Sequence, residues 1–260
     1  MKARIITHAR VVRALILREI KTRFGRAQLG YLWALIEPTM FVLVFLAIYQ
    51  LRGKSTASGM PVPLFLLTGT IPFIMFRDTM MRSMSAIQSN RPLLTFPQVT
   101  PIDLVLGRAL LEMATTIVAF VLLIIIFSAF YDPVKVADPL GVCIWLAMLG
   151  LLGFGAGAAF GALAPLFPSV QQLIPSILVR PLFFLSGVFF TADMIPEGIR
   201  NYALLNPLLN LTELVRASYF REFESPHASI TYSIFFTLVV VFLGLVTQRV
   251  LLKRILTLPP

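Results

Sequence analysis

Residues 100–130 read TPIDLVLGRALLEMATTIVAFVLLIIIFSAF. Thr100-Pro101-Ile102-Asp103 marks a helix start: a capping hydroxyl, proline at the first helical position, and an acid three residues past the cap. From Met113 to Phe130 no residue is charged. About 20 apolar residues in a helix cross the hydrocarbon of a bilayer. The stretch near 104–130 therefore predicts a membrane-spanning helix.

The rest of the chain agrees. Of 260 residues, 58% are hydrophobic and 13% charged. An average soluble domain has about 45–50% apolar and about 25% charged residues. So few charges cannot clothe a water-soluble surface, and disorder needs the opposite composition. Five further runs have the length and apolarity of spans, near 30–51, 64–84, 139–163, 173–192 and 229–252. The expected class is an all-α membrane protein with six spans and both termini on one side.

Charge selects that side. The chain has 22 Lys and Arg against 12 Asp and Glu. Fifteen of the basic residues fall on the terminal side, six on the other, and Arg180 inside a span. Cytoplasmic loops carry the excess of Lys and Arg, so the termini are expected in the cytoplasm. The charges form no stripe on a soluble fold, which removes the nucleic-acid reading.

Residues 1–28 precede the first long apolar run. Ile5, Ala9, Val12, Ile16 and Ile20 share one side of a helix, and Arg10, Arg18 and Lys21 share the other. This pattern predicts a basic amphipathic helix in the membrane interface. A cleaved signal peptide is the competing reading, but the next run is too long for one and lacks a small-residue cleavage site. Residues 193–228 form the longest external connection. Leucines and the break at Asn206-Pro207 predict two short helices there, near 196–205 and 208–222, dipping into the outer leaflet.

Sites of chemistry are scarce. Gly53-Lys54-Ser55 lacks the upstream glycine of a phosphate loop, and Ile48 stands in its place. Ser186-Gly187 lies within a span without the glycines of a nucleophile turn. His8 and His227 fall on opposite membrane faces by the expected topology, so they cannot share a site. No Cys/His cluster has metal-ligand spacing, and the lone Cys143 cannot form an internal disulfide. Arg108 and Glu112, four residues apart, read as a structural ion pair. Gly153, Gly157 and Gly161 permit close helix contact, within one chain or between two.

The cations inside spans are what the apolar background leaves unexplained. Arg180, followed by Pro181, lies near the middle of the fifth span. Arg77 and Arg82 lie in the inner part of the second, beside Asp78. An arginine at mid-membrane costs about 2.5–3.5 kcal/mol on insertion scales, and such residues face an interior or a watery path. The competing reading of Asp78 is a partner that neutralises one arginine. Phe183, Phe184, Phe189 and Phe190 flank the outer half of the fifth span, where rings suit sugars, lipid or the interface.

Arg18-Glu19-Ile20-Lys21-Thr22-Arg23-Phe24-Gly25, followed by Leu29-Gly30-Tyr31-Leu32-Trp33-Ala34-Leu35-Ile36-Glu37-Pro38, resembles the opening of capsule polysaccharide export permeases of the KpsM type. Arg180–Gly187 is similar to the family's fifth span. Asn206-Pro207-Leu208-Leu209 with Glu213 and Arg216 is similar to its external hairpin. The resemblance runs the length of the chain. It implies a transmembrane permease without its own ATPase, working as a homodimer with two separate ABC ATPase subunits that bind ATP and Mg. It implies a lipid-linked acidic polysaccharide as cargo, and a periplasmic adaptor and outer-membrane conduit in a Gram-negative host. Arg18, Lys21 and Arg23 would face the ATPase, with Ile87, Asn90, Arg91 and Leu93 in a coupling helix. Arg77, Arg82, Arg180, Phe183 and Phe184 would line the substrate path. Asn206, Glu213 and Arg216 would form the outer gate. The same fold could carry O-antigen, teichoic acid or a lipophilic drug. A membrane-embedded enzyme of lipid-linked sugars and a passive channel are the readings of other classes.

Overall fold

The computed structural model describes the backbone of residues 2–24, 30–51, 56–57, 59–130, 135–167 and 169–257. The side chains of residues 2–5, 22–24, 30–34, 56–57, 130 and 252–257 lie outside the description, as do Gly53, Lys54 and Ser55. The chain is built from helices: α1 (Lys2–Phe24), α2 (Gly30–Leu51), α3 (Val62–Ser89), α4 (Pro101–Phe130), α5 (Pro139–Leu163), α6 (Ser169–Leu173), α7 (Arg180–Leu185), α8 (Glu197–Ala203), α9 (Pro207–Tyr219) and α10 (Ile230–Thr257). A two-residue hairpin, Thr56–Ala57 with Met60–Pro61, joins α2 to α3. Among the described residues, four helices are long and apolar enough to cross a membrane: Val62–Ser89, Pro101–Ala129, Pro139–Leu163 and Ile230–Leu251. Leu35–Leu51 and Ser169–Leu185 are shorter apolar helices.

α3 is the axis of the fold. It is apolar on nearly all sides, as a helix enclosed by other helices must be, and α2, α4, α5 and α9 pack around it. Its closest neighbour is α5. A Cβ on Gly153 would lie 2.5 Å from the Phe76 carbonyl oxygen, and one on Gly157 2.5 Å from that of Met80. Gly161 faces Met84 in the same way. The small-residue stripe thus brings two helices of one chain together, the close approach that stabilises packing where lipid provides no hydrophobic drive. The opposite side of α5 receives α10, where Gly244 lies against the Gly155 carbonyl. α10 is the least enclosed of the four long helices.

The fifth expected span, 173–192, differs in structure. Helix begins at Ser169, widens into a π-helical turn over Ile174–Val179, and ends at Leu185. Proline explains the widening. Pro181 has no N–H to give the α-helical ladder and its ring crowds the carbonyl four residues back. The ladder shifts instead, with the Arg180 N–H donating to the Pro175 carbonyl, five residues earlier. At Gly187 the chain turns with φ +73°, a conformation that disfavours any side chain. Helix therefore stops short of the expected end near 192, and residues 188–196 continue as bends and a 3-10 turn at Ala192–Met194, with the Val188 and Phe190 carbonyls against Arg216 of α9.

The helix expected around Ile87, Asn90, Arg91 and Leu93 is not a separate element: α3 continues to Ser89 and a single 3-10 turn follows at Arg91–Thr95. Ile87 is consequently 1% exposed, in a small core with Ala86, Leu104, Val105, Phe154 and Ala158.

Candidate functional site

Between α2, α3 and the π-turn lies a cavity of about 360 Å³. Phe41, Phe73, Phe183 and Phe184 supply its apolar wall, and Glu37, Thr70, Arg77 and Arg180 its polar points. Phe183 is the hub of the wall: its ring centroid lies 5.1 Å from Phe41, 5.0 Å from Phe73, 5.2 Å from Phe184 and 5.4 Å from Phe189. Phe183 is half-buried, with one side on the cavity and the other against these rings, while Phe184 is 62% exposed.

The three span arginines have different surroundings. Arg77 is doubly matched, with Nη2 2.7 Å from Glu37 Oε1 and Nε 2.6 Å from Asp78 Oδ1. Arg82 Nε stands 3.9 Å from Glu112 Oε2. Arg180 is exposed and has no ion-pair partner among the described residues. The residue after it is proline, so the π-turn that Pro181 imposes is also what presents the guanidinium. The cavity therefore combines one cation free to meet an anion, one already compensated, and a ring-lined wall. Glu37 belongs to this site through Arg77, a role its Glu-Pro context gave no means to assign.

On the side of the α3–α4 connection, three polar ties dock α1. His8 Nδ1 lies 2.9 Å from Asp103 Oδ1. The same carboxylate accepts from the Thr100 N–H at 2.9 Å and the Thr100 hydroxyl at 2.6 Å, completing the α4 cap. Arg18 Nη1 donates to Asn90 Oδ1 at 3.1 Å. Arg108 Nη2 reaches Glu19 Oε1 at 3.3 Å, pairing with α1 and not with Glu112 as its spacing predicted. Lys21 is exposed, and the Arg23 side chain lies outside the described residues. Asn90 is largely buried and donates to the Ala86 carbonyl at 3.1 Å. Arg91 and Leu93 are half-buried. The exposed apolar point of this segment is Phe96, 59% accessible. Its signal in the sequence is a phenylalanine before Pro97 in a polar connection, a cue too weak to assign it a role.

At the other end, α9 is enclosed by protein where a leaflet-lying helix was expected. Asn206 caps it, accepting from the Leu208 N–H at 3.0 Å and donating to the Leu185 carbonyl at 2.9 Å. Glu213 and Arg216 are both fully buried, 3.8 Å apart. Arg216 donates to the carbonyls of Phe190 (3.0 Å), Val188 (3.2 Å) and Phe65 (3.3 Å) and stacks over the Phe65 ring at 4.1 Å. Glu213 accepts from the Ser225 hydroxyl at 2.7 Å and the Ala192 N–H at 3.3 Å. Burial pushes the Glu213 carboxyl up, opposed by the Ser225 hydroxyl and the Arg216 charge. Burial likewise brings Arg216 down to about 10, with Glu213 opposing. These two residues are an internal pin, closed to any passing molecule in this conformation.

Apolar helices packed about α3, with a ring-lined cavity on one flank where Arg180 has no ion-pair partner among the described residues, give a membrane protein with a candidate path for an anion. The chain belongs to the ABC-2 type transporter membrane family, whose model matches residues 10–220. It is 37% identical over 246 residues to the polysialic acid transport protein KpsM of Escherichia coli, covering 95% of each chain. It is 29% identical to the capsule polysaccharide export inner-membrane protein CtrC of Neisseria meningitidis, covering 93% of this chain and 91% of that one. To the capsule polysaccharide export inner-membrane protein BexB of Haemophilus influenzae the identity is 28%, over 95% and 93% of the two chains.

Proposed function

We propose that this chain is the transmembrane subunit of an ATP-driven exporter that moves lipid-anchored acidic capsular polysaccharide across the inner membrane of a Gram-negative bacterium. The observation that carries this reading is the near full-length similarity to a polysialic acid transport protein. Polysialic acid is a polyanion, and the cavity offers an anion one uncompensated arginine. A single unpaired cation in a site of zero net charge holds each anion weakly enough to release it to the next, as conduction requires.

In this reading α2 and the α6–α7 segment complete a six-span set with the four long helices. Two copies assemble with two ATPase subunits, which supply ATP and Mg. α1 lies in the cytoplasmic interface, and α1 with the Arg91–Thr95 turn and Phe96 meets the ATPase. A periplasmic adaptor and an outer-membrane conduit continue the route. The seam between copies follows from polarity. α10 exposes Phe235, Leu238, Phe242, Leu243, Val246 and Val250, a face suited to lipid. The face with Glu37, Arg77 and Arg180 would be costly in lipid, so it turns toward the second copy and the path runs between them.

The test is a host lacking this gene, with and without the wild-type copy. Acidic polysaccharide should accumulate inside the deletion strain and return to the surface with the gene. Unchanged surface polymer, without a redundant exporter, would overturn the cargo. The seam has its own check. In a Cys143→Ser background, Ile177→Cys should cross-link between copies and Phe242→Cys should not. The reverse pattern rejects this seam.

A further inference from the structure

The external stretch closes on itself at one imidazole. His227 Nε2 lies 3.2 Å from Arg200 Nη1 and 3.2 Å from Asp193 Oδ1. One nitrogen cannot serve both. An unprotonated Nε2 accepts from the guanidinium and opposes the carboxylate. A protonated Nε2 donates to the carboxylate and opposes the guanidinium. Histidine is the side chain whose ordinary titration falls between about pH 5 and 8.

The two partners sit on different elements that share a contact of their own, Arg200 Nη2 donating to the Asp193 backbone carbonyl at 3.4 Å. Asp193 lies in the Ala192–Met194 turn, Arg200 in α8, and His227 in the segment entering α10. Arg200 keeps its own anchor, donating to the Ile195 carbonyl through Nε at 3.1 Å and Nη2 at 3.0 Å. Glu213 of α9 joins the same two segments from inside, through Ala192 and Ser225. Among the described residues Asp193 is the one carboxylate within ion-pair distance of His227. Glu197 lies on α8, and Arg221, Glu222 and Glu224 on the segment before His227, beyond that distance. α10 brings Tyr232, whose hydroxyl is committed to the Leu205 carbonyl at 2.6 Å.

We propose that His227 is a proton-operated clasp of the external hairpin: unprotonated, it holds α8 through Arg200; protonated, it exchanges α8 for Asp193. Acid then removes the His227 tie to α8 and leaves the Tyr232 hydroxyl on the Leu205 carbonyl as the remaining hold of α10 on that end, while the Glu213 tie keeps the Ala192 turn in place. Exposure to the pH outside the cell rests on the topology proposed above; the exchange of partners does not.

The chain has two histidines, which makes the exchange directly observable. The full chain in nanodiscs, labelled with 15N-histidine, gives two rings, and His8→Gln assigns them. At neutral pH the His227 ring should carry its proton on Nδ1, with Nε2 free. Arg200→Gln should move that proton to Nε2, facing Asp193. On acidification, hydrogen exchange at the Arg200–Leu205 amides, corrected for intrinsic rate, should rise several-fold in wild type and stay flat in His227→Gln. A neutral ring protonated on Nε2 in wild type, or the same acid response in His227→Gln, would overturn the clasp. Neither result depends on which membrane face the hairpin occupies. A sound clasp with failed export in the complementation test would count against the transport reading alone.

Discussion

Arg180→Glu is expected to abolish surface polysaccharide while the ATPase complex still assembles and hydrolyses ATP. In wild type the arginines at 77 and 180 balance the acids at 37 and 78, and Arg180 is the member without a partner. Reversal leaves the cavity with two excess negative charges facing an anionic cargo. A misplaced charge at this depth is worth about 3 kcal/mol on insertion scales, so export should fall about a hundredfold or more. Arg180→Gln should give a partial loss and Arg180→Lys should retain most export. The measurements are surface polymer, copurified ATPase subunit and ATP turnover of the same preparation. Normal export by Arg180→Glu would remove the cavity from the transport route.

Arg216→Met should act on folding and not on cargo. It strips three carbonyls of a donor, removes the cation from the Phe65 ring, and leaves Glu213 buried without its counter-charge. Removing one partner of a buried pair costs about 3–5 kcal/mol. The variant should accumulate poorly and unfold at lower temperature in detergent. Glu213→Gln combined with Arg216→Met should recover part of that loss, because the second change removes the orphaned charge. Arg216→Met with wild-type thermal stability would mean that the pin bears little load.

What sequence could reveal here was local. A cap followed by proline shows itself in a few residues, and Asp138-Pro139, Thr100-Pro101 and Asn206-Pro207 each stand at a helix start. Composition indicated a membrane chain, and the length of its apolar runs indicated helices. Partner choice between distant elements was not legible, since spacing measures proximity along one helix only. Arg108 therefore looked matched to Glu112, although α1 brings Glu19 to it. The enclosure of Glu213 and Arg216 was hidden for the same reason: an amphipathic helix reads alike whether its polar side meets headgroups or backbone carbonyls. The short crossing before Gly187 was written in Pro175, Pro181 and Gly187, but apolarity continues past the turn and masks it. In the candidate site, Arg180 stood out as a charge in an apolar run. Its contrast with Arg77 needed Glu37 from a different helix.

α10 leans on its own subunit mainly along α5, with glycine on both sides at Gly155 and Gly244, and leaves most of its surface outward. Its 22-residue apolar stretch, Ile230–Leu251, is about 33 Å long at 1.5 Å per residue, slightly more than the ~30 Å hydrocarbon of an ordinary bilayer. A surplus of this size is one that slight tilt accommodates. α10 also touches α9, so in the proposed topology a change in bilayer thickness that altered the lean of α10 would reach the external hairpin through that contact.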